Sequence, residues 1–150
     1  MKKFVALVII GCICGGMSLV YAQRVVESND LKVSPAKYKN SSITLKDVFT
    51  KPGAGISPAL TASGYTSKKY ISFVAGETGM PCFMRRSSTN EKLVAGLKEG
   101  EQITIVGTVK QPEAEVERAE GRITDKYDLD IYVIEVRQIT KGWEGEKEVN

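Results

Sequence analysis

The sequence predicts an all-β domain with one short helix: five strands wound into a small barrel, in the order β-β-β-α-β-β, behind an N-terminal export signal. Three observations carry this expectation. Short runs of alternating apolar and polar residues recur between Gly- and Pro-rich stretches. One capped helical segment falls after the third run. The chain of 150 residues, less its signal, is one domain's length and can bury a core without staples.

Met1, Lys2 and Lys3 form a positive start, and Phe4 to Val20 carries no charge. Val20 and Ala22 then stand at −3 and −1 before Gln23. This is the pattern of a secretory signal peptide, residues 1–22, cut after Ala22. Two alternatives stay open. Phe4 to Ala22 is about long enough to span a bilayer if tilted, although Gly11, Gly15 and Gly16 weaken a helix there. Ile9-Ile10-Gly11-Cys12 resembles a lipobox, which would tether the chain through a lipidated Cys12. The expected location is periplasmic or secreted, with no membrane span after cleavage, or membrane-tethered in the two alternatives.

The first strand has Ile43 and Leu45 alternating with Thr44 and Lys46, and Val48 breaks the alternation after Asp47, the mark of a bulge. It follows an entry segment, 23–34, that reads as partly loose. Residues 51–69, with Pro52, Gly53, Gly55, Pro58 and Gly64, read as a long loop. Tyr70 to Ala75 and Met80 to Arg85 form a hairpin about the turn Gly76-Glu77-Thr78-Gly79. Its preferred register points Ile71, Phe73, Cys82 and Met84 inward and leaves Tyr70, Ser72, Phe83 and Arg85 outside.

Ser88 and Glu91 fit a capping box, Leu93, Val94 and Leu97 share the buried side of the helix, and Gly100 ends it. Glu101 to Lys110 is the fourth strand. Ile103, Ile105 and Val109 face one way, and Gly107 marks a kink or close backbone approach. Residues 111–128 read as a charged loop. The last strand, about Leu129 to Ile139, contains the unalternating run Ile131-Tyr132-Val133-Ile134, so its inner face is open. The barrel domain thus covers 35–140, and 141–150 is a polar tail.

Cys12 and Cys14 leave with the signal, and Cys82 alone forms no intramolecular disulfide. Its neighbours Met80, Pro81, Phe83 and Met84 mark it as buried. The chain has no histidine, which excludes histidine catalysis and histidine-ligated metals. Its net charge of +3 falls to +1 when Lys2 and Lys3 leave with the signal. Residues 23–98 carry 12 Lys and Arg against 5 Asp and Glu, while 99–150 carry 7 against 13.

The element order is that of the OB-fold. The stretch Pro35-Ala36-Lys37-Tyr38-Lys39-Asn40 before Ile43-Thr44-Leu45 resembles the opening of exported OB-fold proteins of the tRNA_anti-like family, with Asn40-Ser41 where Gly-Lys would stand. Lys92-Leu93 and Leu97 to Val109 look like that family's lysine-leucine and Lys-Gly-Asp-x-Val-x-Val-x-Gly-x-Val passages, with Glu101 replacing the aspartate. The similarity covers about residues 35–139.

OB-folds bind on the face of strands 2 and 3, between the loops joining strands 1–2 and 4–5. The resemblance therefore implies a ligand-binding site at Tyr70, Ser72, Phe83, Arg85, Arg86, Lys68 and Lys69. The bases of single-stranded nucleic acid would stack on Tyr70 or Phe83. The loop 111–128, with six acids against three bases, and the near-neutral mature charge disfavour that partner. Asp125, Asp128 and Asp130 lack the glycine and distal glutamate of a calcium loop and read as a solvated turn. No catalytic constellation, metal site or cofactor motif stands out. The expected function is that of a non-enzymatic binding module of the cell envelope for a protein, glycan or small ligand. The alternative is a single-stranded nucleic-acid binder. An enzyme would need a carboxylate site built on Asp47, Asp128 or Asp130.

Overall fold

A computed structural model describes residues 24–117 and 124–143. The expected signal peptide and the end of the polar tail lie outside the described residues. The elements are β1 (Arg24–Val26), α1 (Ser28–Val33), a 3₁₀ turn (Pro35–Tyr38), β2 (Ser42–Val48), α2 (Pro58–Ala62), β3 (Tyr70–Val74), β4 (Pro81–Arg85), α3 (Ser88–Ala95), β5 (Gln102–Lys110), β6 (Glu113–Glu117), β7 (Thr124–Asp128) and β8 (Val133–Lys141). The predicted β-β-β-α-β-β series is present as β2, β3, β4, α3, β5 and β8. Around it stand more helices than the single one expected.

Six strands form one mixed sheet in the order β1-β2-β5-β8-β4-β3. β1 lies parallel to β2 and β8 parallel to β4, and the other pairs are antiparallel. The fold is mostly β and compatible with an OB-like fold. The five-stranded closed barrel expected from the sequence is not seen: β2 and β3 share no ladder. They meet at one isolated bridge, Phe49 to Ala75, where Gly76 N also donates to Val48 O at 2.9 Å. Beyond it Thr50 Oγ1 bonds Val74 and Gly53 N donates to Ser72 O at 2.7 Å, but Pro52, which has no N–H for a ladder, and Gly53 at φ 82° keep the segment from forming regular strand pairing.

Asp47 reinforces that junction. β2 alternates half-buried and buried along its whole length, so the expected bulge after Asp47 is absent and the acid sits on the core side, fully buried. Its carboxyl group accepts from the amides of Val48 and Glu77, both at 2.7 Å, and of Thr78 at 3.2 Å. The side chain thus clips the β3–β4 turn to the end of β2. The register shift lies instead between Val106 and Gly107 on β5. A Cβ on Gly107 would stand 2.6 Å from Glu135 O, the close approach anticipated there.

The core lies on one side of the sheet. Ile43, Leu45, Phe73, Cys82, Ile103, Ile105, Val109 and Ile134 are fully buried in it. Ile71 and Met84 join them, as the preferred hairpin register requires. Residues 24–33, expected to be partly loose, contribute Val26 and Leu31 to the same cluster. Helix α3 covers one end with Val94. Its N-cap is Ser87, whose Oγ accepts from Asn90 N at 3.1 Å, one residue before the serine expected. Glu91 is instead paired with Arg86 at 2.6 Å. The helix ends at Gly96, and Gly100, at φ 80°, belongs to the following turn.

Candidate functional site

The other face of the β3–β4 hairpin decides what a ligand can reach. Tyr70 pairs with Arg85 and Ser72 with Phe83 across the hairpin, so these four side chains share that face, as expected from the alternation of a strand. They are not equally open. The stretch 51–69, read as a loop, folds into α2, capped by Ser57 through Leu60 N. The stretch 111–128, also read as a loop, contains the hairpin β6–β7. The two pack over the sheet, and Leu60, Tyr65, Phe83, Ala114, Leu129 and Val133 form a second apolar cluster.

This cluster explains the unalternating last strand. Val133 faces the second cluster, and Ile134 faces the first. Phe83, expected to be available to a ligand, is 1% exposed and packs against Tyr65 with ring centroids 4.6 Å apart. Ser72 is 3% exposed. Arg86 is taken up structurally: its Nε donates to Ser67 O at 2.9 Å, and its guanidinium holds Glu91. It ties the turn before β3 to α3. Lys68 and Lys69 are exposed on that turn.

What stays open is a cleft of about 210 Å³ beside the covered cluster. Tyr70, Arg85, Thr108, Glu135 and Arg137 border it. The Arg85 guanidinium lies over the Tyr70 ring, 5.4 Å from its centroid, a geometry in which the ring's negative face attracts the cation. Arg137 hydrogen-bonds the Ser42 hydroxyl. Glu135 accepts from Tyr65 Oη at 2.9 Å. Burial and this bond to the carboxylate push the Tyr65 pKa upward, so the phenol stays protonated and keeps donating.

Sequence reasoning missed Arg137 and Glu135 because β8 gave no readable inner face. It also missed the role of Asp47, whose three amide partners include two that lie 30 and 31 residues away. Asp128 accepts from Lys39 Nζ at 2.8 Å, a bond that ties the base of the β6–β7 hairpin to the turn before β2.

No protein-family model matches the sequence, and no curated protein matches it. Among solved structures, a protein described as an aspartyl-tRNA synthetase from Leishmania major Friedlin aligns with 83% of the chain at 8% identity and TM-score 0.47. The alignment spans 22% of the synthetase. The OBody AM2EP06, solved bound to hen egg-white lysozyme, aligns with 80% of the chain and 94% of its own length at 13% identity and TM-score 0.46. At these values neither alignment speaks to family or function.

Proposed function

We propose that this chain is a non-enzymatic binding module of OB-like fold, exported into the cell envelope, that takes a protein, glycan or small ligand at the outer cleft between Tyr70, Arg85 and Arg137. The observation that carries this reading is the Arg85–Tyr70 stack at the mouth of that cleft. An aromatic face beside a planar guanidinium offers both a stacking surface and directed hydrogen bonds. Binding is favoured over catalysis because the nearby Glu135 is engaged in holding Tyr65 and Asp47 in holding backbone amides. Export rests on the N-terminal sequence pattern. Expression of the full chain followed by mass measurement tests it: a product starting at Gln23 supports cleavage and export, and an intact Met1 refutes cleavage.

The ligand is tested by amide NMR of the purified chain titrated with cell-wall oligosaccharides, short peptides and a mixed single-stranded oligonucleotide. Saturable shifts at Tyr70, Arg85 and Arg137, lost on joint replacement of the three by Ala, support the site. Binding that survives the triple replacement overturns it. A second reading, single-stranded nucleic acid, is favoured by the same cation–aromatic pair with Lys68 and Lys69 nearby. It requires affinity that falls steeply with salt, and the acidic β6–β7 hairpin alongside weighs against it.

A further inference from the structure

A second cleft, of about 220 Å³, opens on the other side of Tyr70, between β3, the turn at 52–56 and α3. Ile56, Ile71, Val94 and Ala95 give it apolar walls. Its charged wall residues, Arg86 and Glu91, neutralise each other at 2.6 Å. Ser72 lines the cleft, and its hydroxyl is the one buried side-chain polar atom without a hydrogen-bond partner among the described residues. Three backbone groups along this edge are occupied. Tyr70 N donates to Thr66 O at 2.9 Å, Val74 N donates to Thr50 Oγ1 at 3.0 Å, and Ser72 O accepts from Gly53 N at 2.7 Å. A buried hydroxyl left unmet is unfavourable, and native structures leave few such groups without a reason.

We propose that this cleft binds a small neutral ring-sized molecule bearing one hydroxyl, a phenol or cyclic alcohol, whose oxygen meets the Ser72 hydroxyl. The size fits: an apolar cavity of roughly 150 Å³ accommodates benzene, so this larger, open cleft accommodates a substituted ring. The walls select an uncharged body, since burying a charge without a partner is strongly unfavourable and the Arg86–Glu91 pair offers neither sign. The unmet hydroxyl selects a single polar group. This site is separate from the Arg85–Arg137 cleft and does not rest on it.

The test is amide NMR of the purified chain with p-cresol, toluene and benzoate as probes. Saturable shifts from p-cresol at residues 71–72 and 94–95, with affinity several-fold above that for toluene and no response to benzoate, are expected. Ser72→Ala removes an unpaired group and is expected to keep the native spectrum, still take toluene, and lose the preference for p-cresol. Ala95→Leu, which narrows the cleft from α3, weakens both ring probes. Equal affinity for p-cresol and toluene in the unaltered chain, a preference for benzoate, or shifts elsewhere overturn the proposal.

Discussion

Asp47 shows how much one side chain settles. It is a buried acid satisfied by backbone amides of its own strand and of the β3–β4 turn. Asp47→Ala strands those donors, and the expected loss of stability is on the order of 3 kcal/mol, read from the urea midpoint. Asp47→Asn, which keeps one acceptor oxygen, costs less. Cys82 lies fully buried. Burial foremost, with the nearby Asp47 adding to it, pushes its thiol pKa upward. The folded state therefore resists forming the thiolate. That contribution to stability is full below the ordinary thiol pKa and declines as pH rises past it. A thiol reagent at neutral pH is expected to leave Cys82 unlabelled in the native chain and to label it in denaturant. Rapid native labelling would contradict the burial. Cys82 was legible in advance because its apolar neighbours announced its surroundings. Asp47 was not, since nothing local distinguishes an acid bound to a distant turn from one in water.

At the scale of elements, α3 separates local from non-local information. Ser87 and Ser88 both precede the helix, and the spacing to Glu91 favours the second as a capping box. The structure caps with Ser87 because Arg86 has drawn Glu91 away from any reciprocal bond. Ser87→Ala is expected to lower stability by about 1 kcal/mol, and Ser88→Ala to change it by less than about 0.5 kcal/mol. Equal losses in thermal denaturation would reject the assignment. The hairpin β6–β7 carried a signal that its charges obscured. Glu113, Ala114, Glu115, Val116 and Glu117 alternate with period 2, and Ala114 turns inward to the second cluster. Glu115 pairs with Lys126 across the ribbon at 3.3 Å, an exposed contact that contributes little to stability. At its base the hairpin is held to the sheet by apolar contact through Ala114 and by the Lys39–Asp128 ion pair.

For the molecule as a whole, the sheet reaches further toward the N-terminus than the barrel alone requires. β1 adds a parallel edge strand to β2, and Val26 and Leu31 enter the main core. Each such burial contributes roughly 1.5–3 kcal/mol, so deleting residues 24–34 is expected to lower stability by several kcal/mol, visible as a lower urea midpoint. A midpoint unchanged by the deletion would mean that β1 and α1 do not hold the core. The same layered packing sets where a ligand can approach. With α2 and β6–β7 over the centre of the β3–β4 face, clefts remain open on either side of Tyr70.

Alternation, turn residues and apolar spacing were enough to locate all five central strands and the helix between them, and to orient the hairpin with Ile71, Phe73, Cys82 and Met84 inward. These features depend on residues a few positions apart, whose side-chain directions follow from the backbone period alone. The covering of Phe83, the clip formed by Asp47, the two-sided burial of β8 and the open end between β2 and β3 depend on residues that meet only when the chain is folded. Leu60 precedes Phe83 and Ala114 follows it in the sequence, both join it in one cluster, and no local pattern in either segment records that meeting.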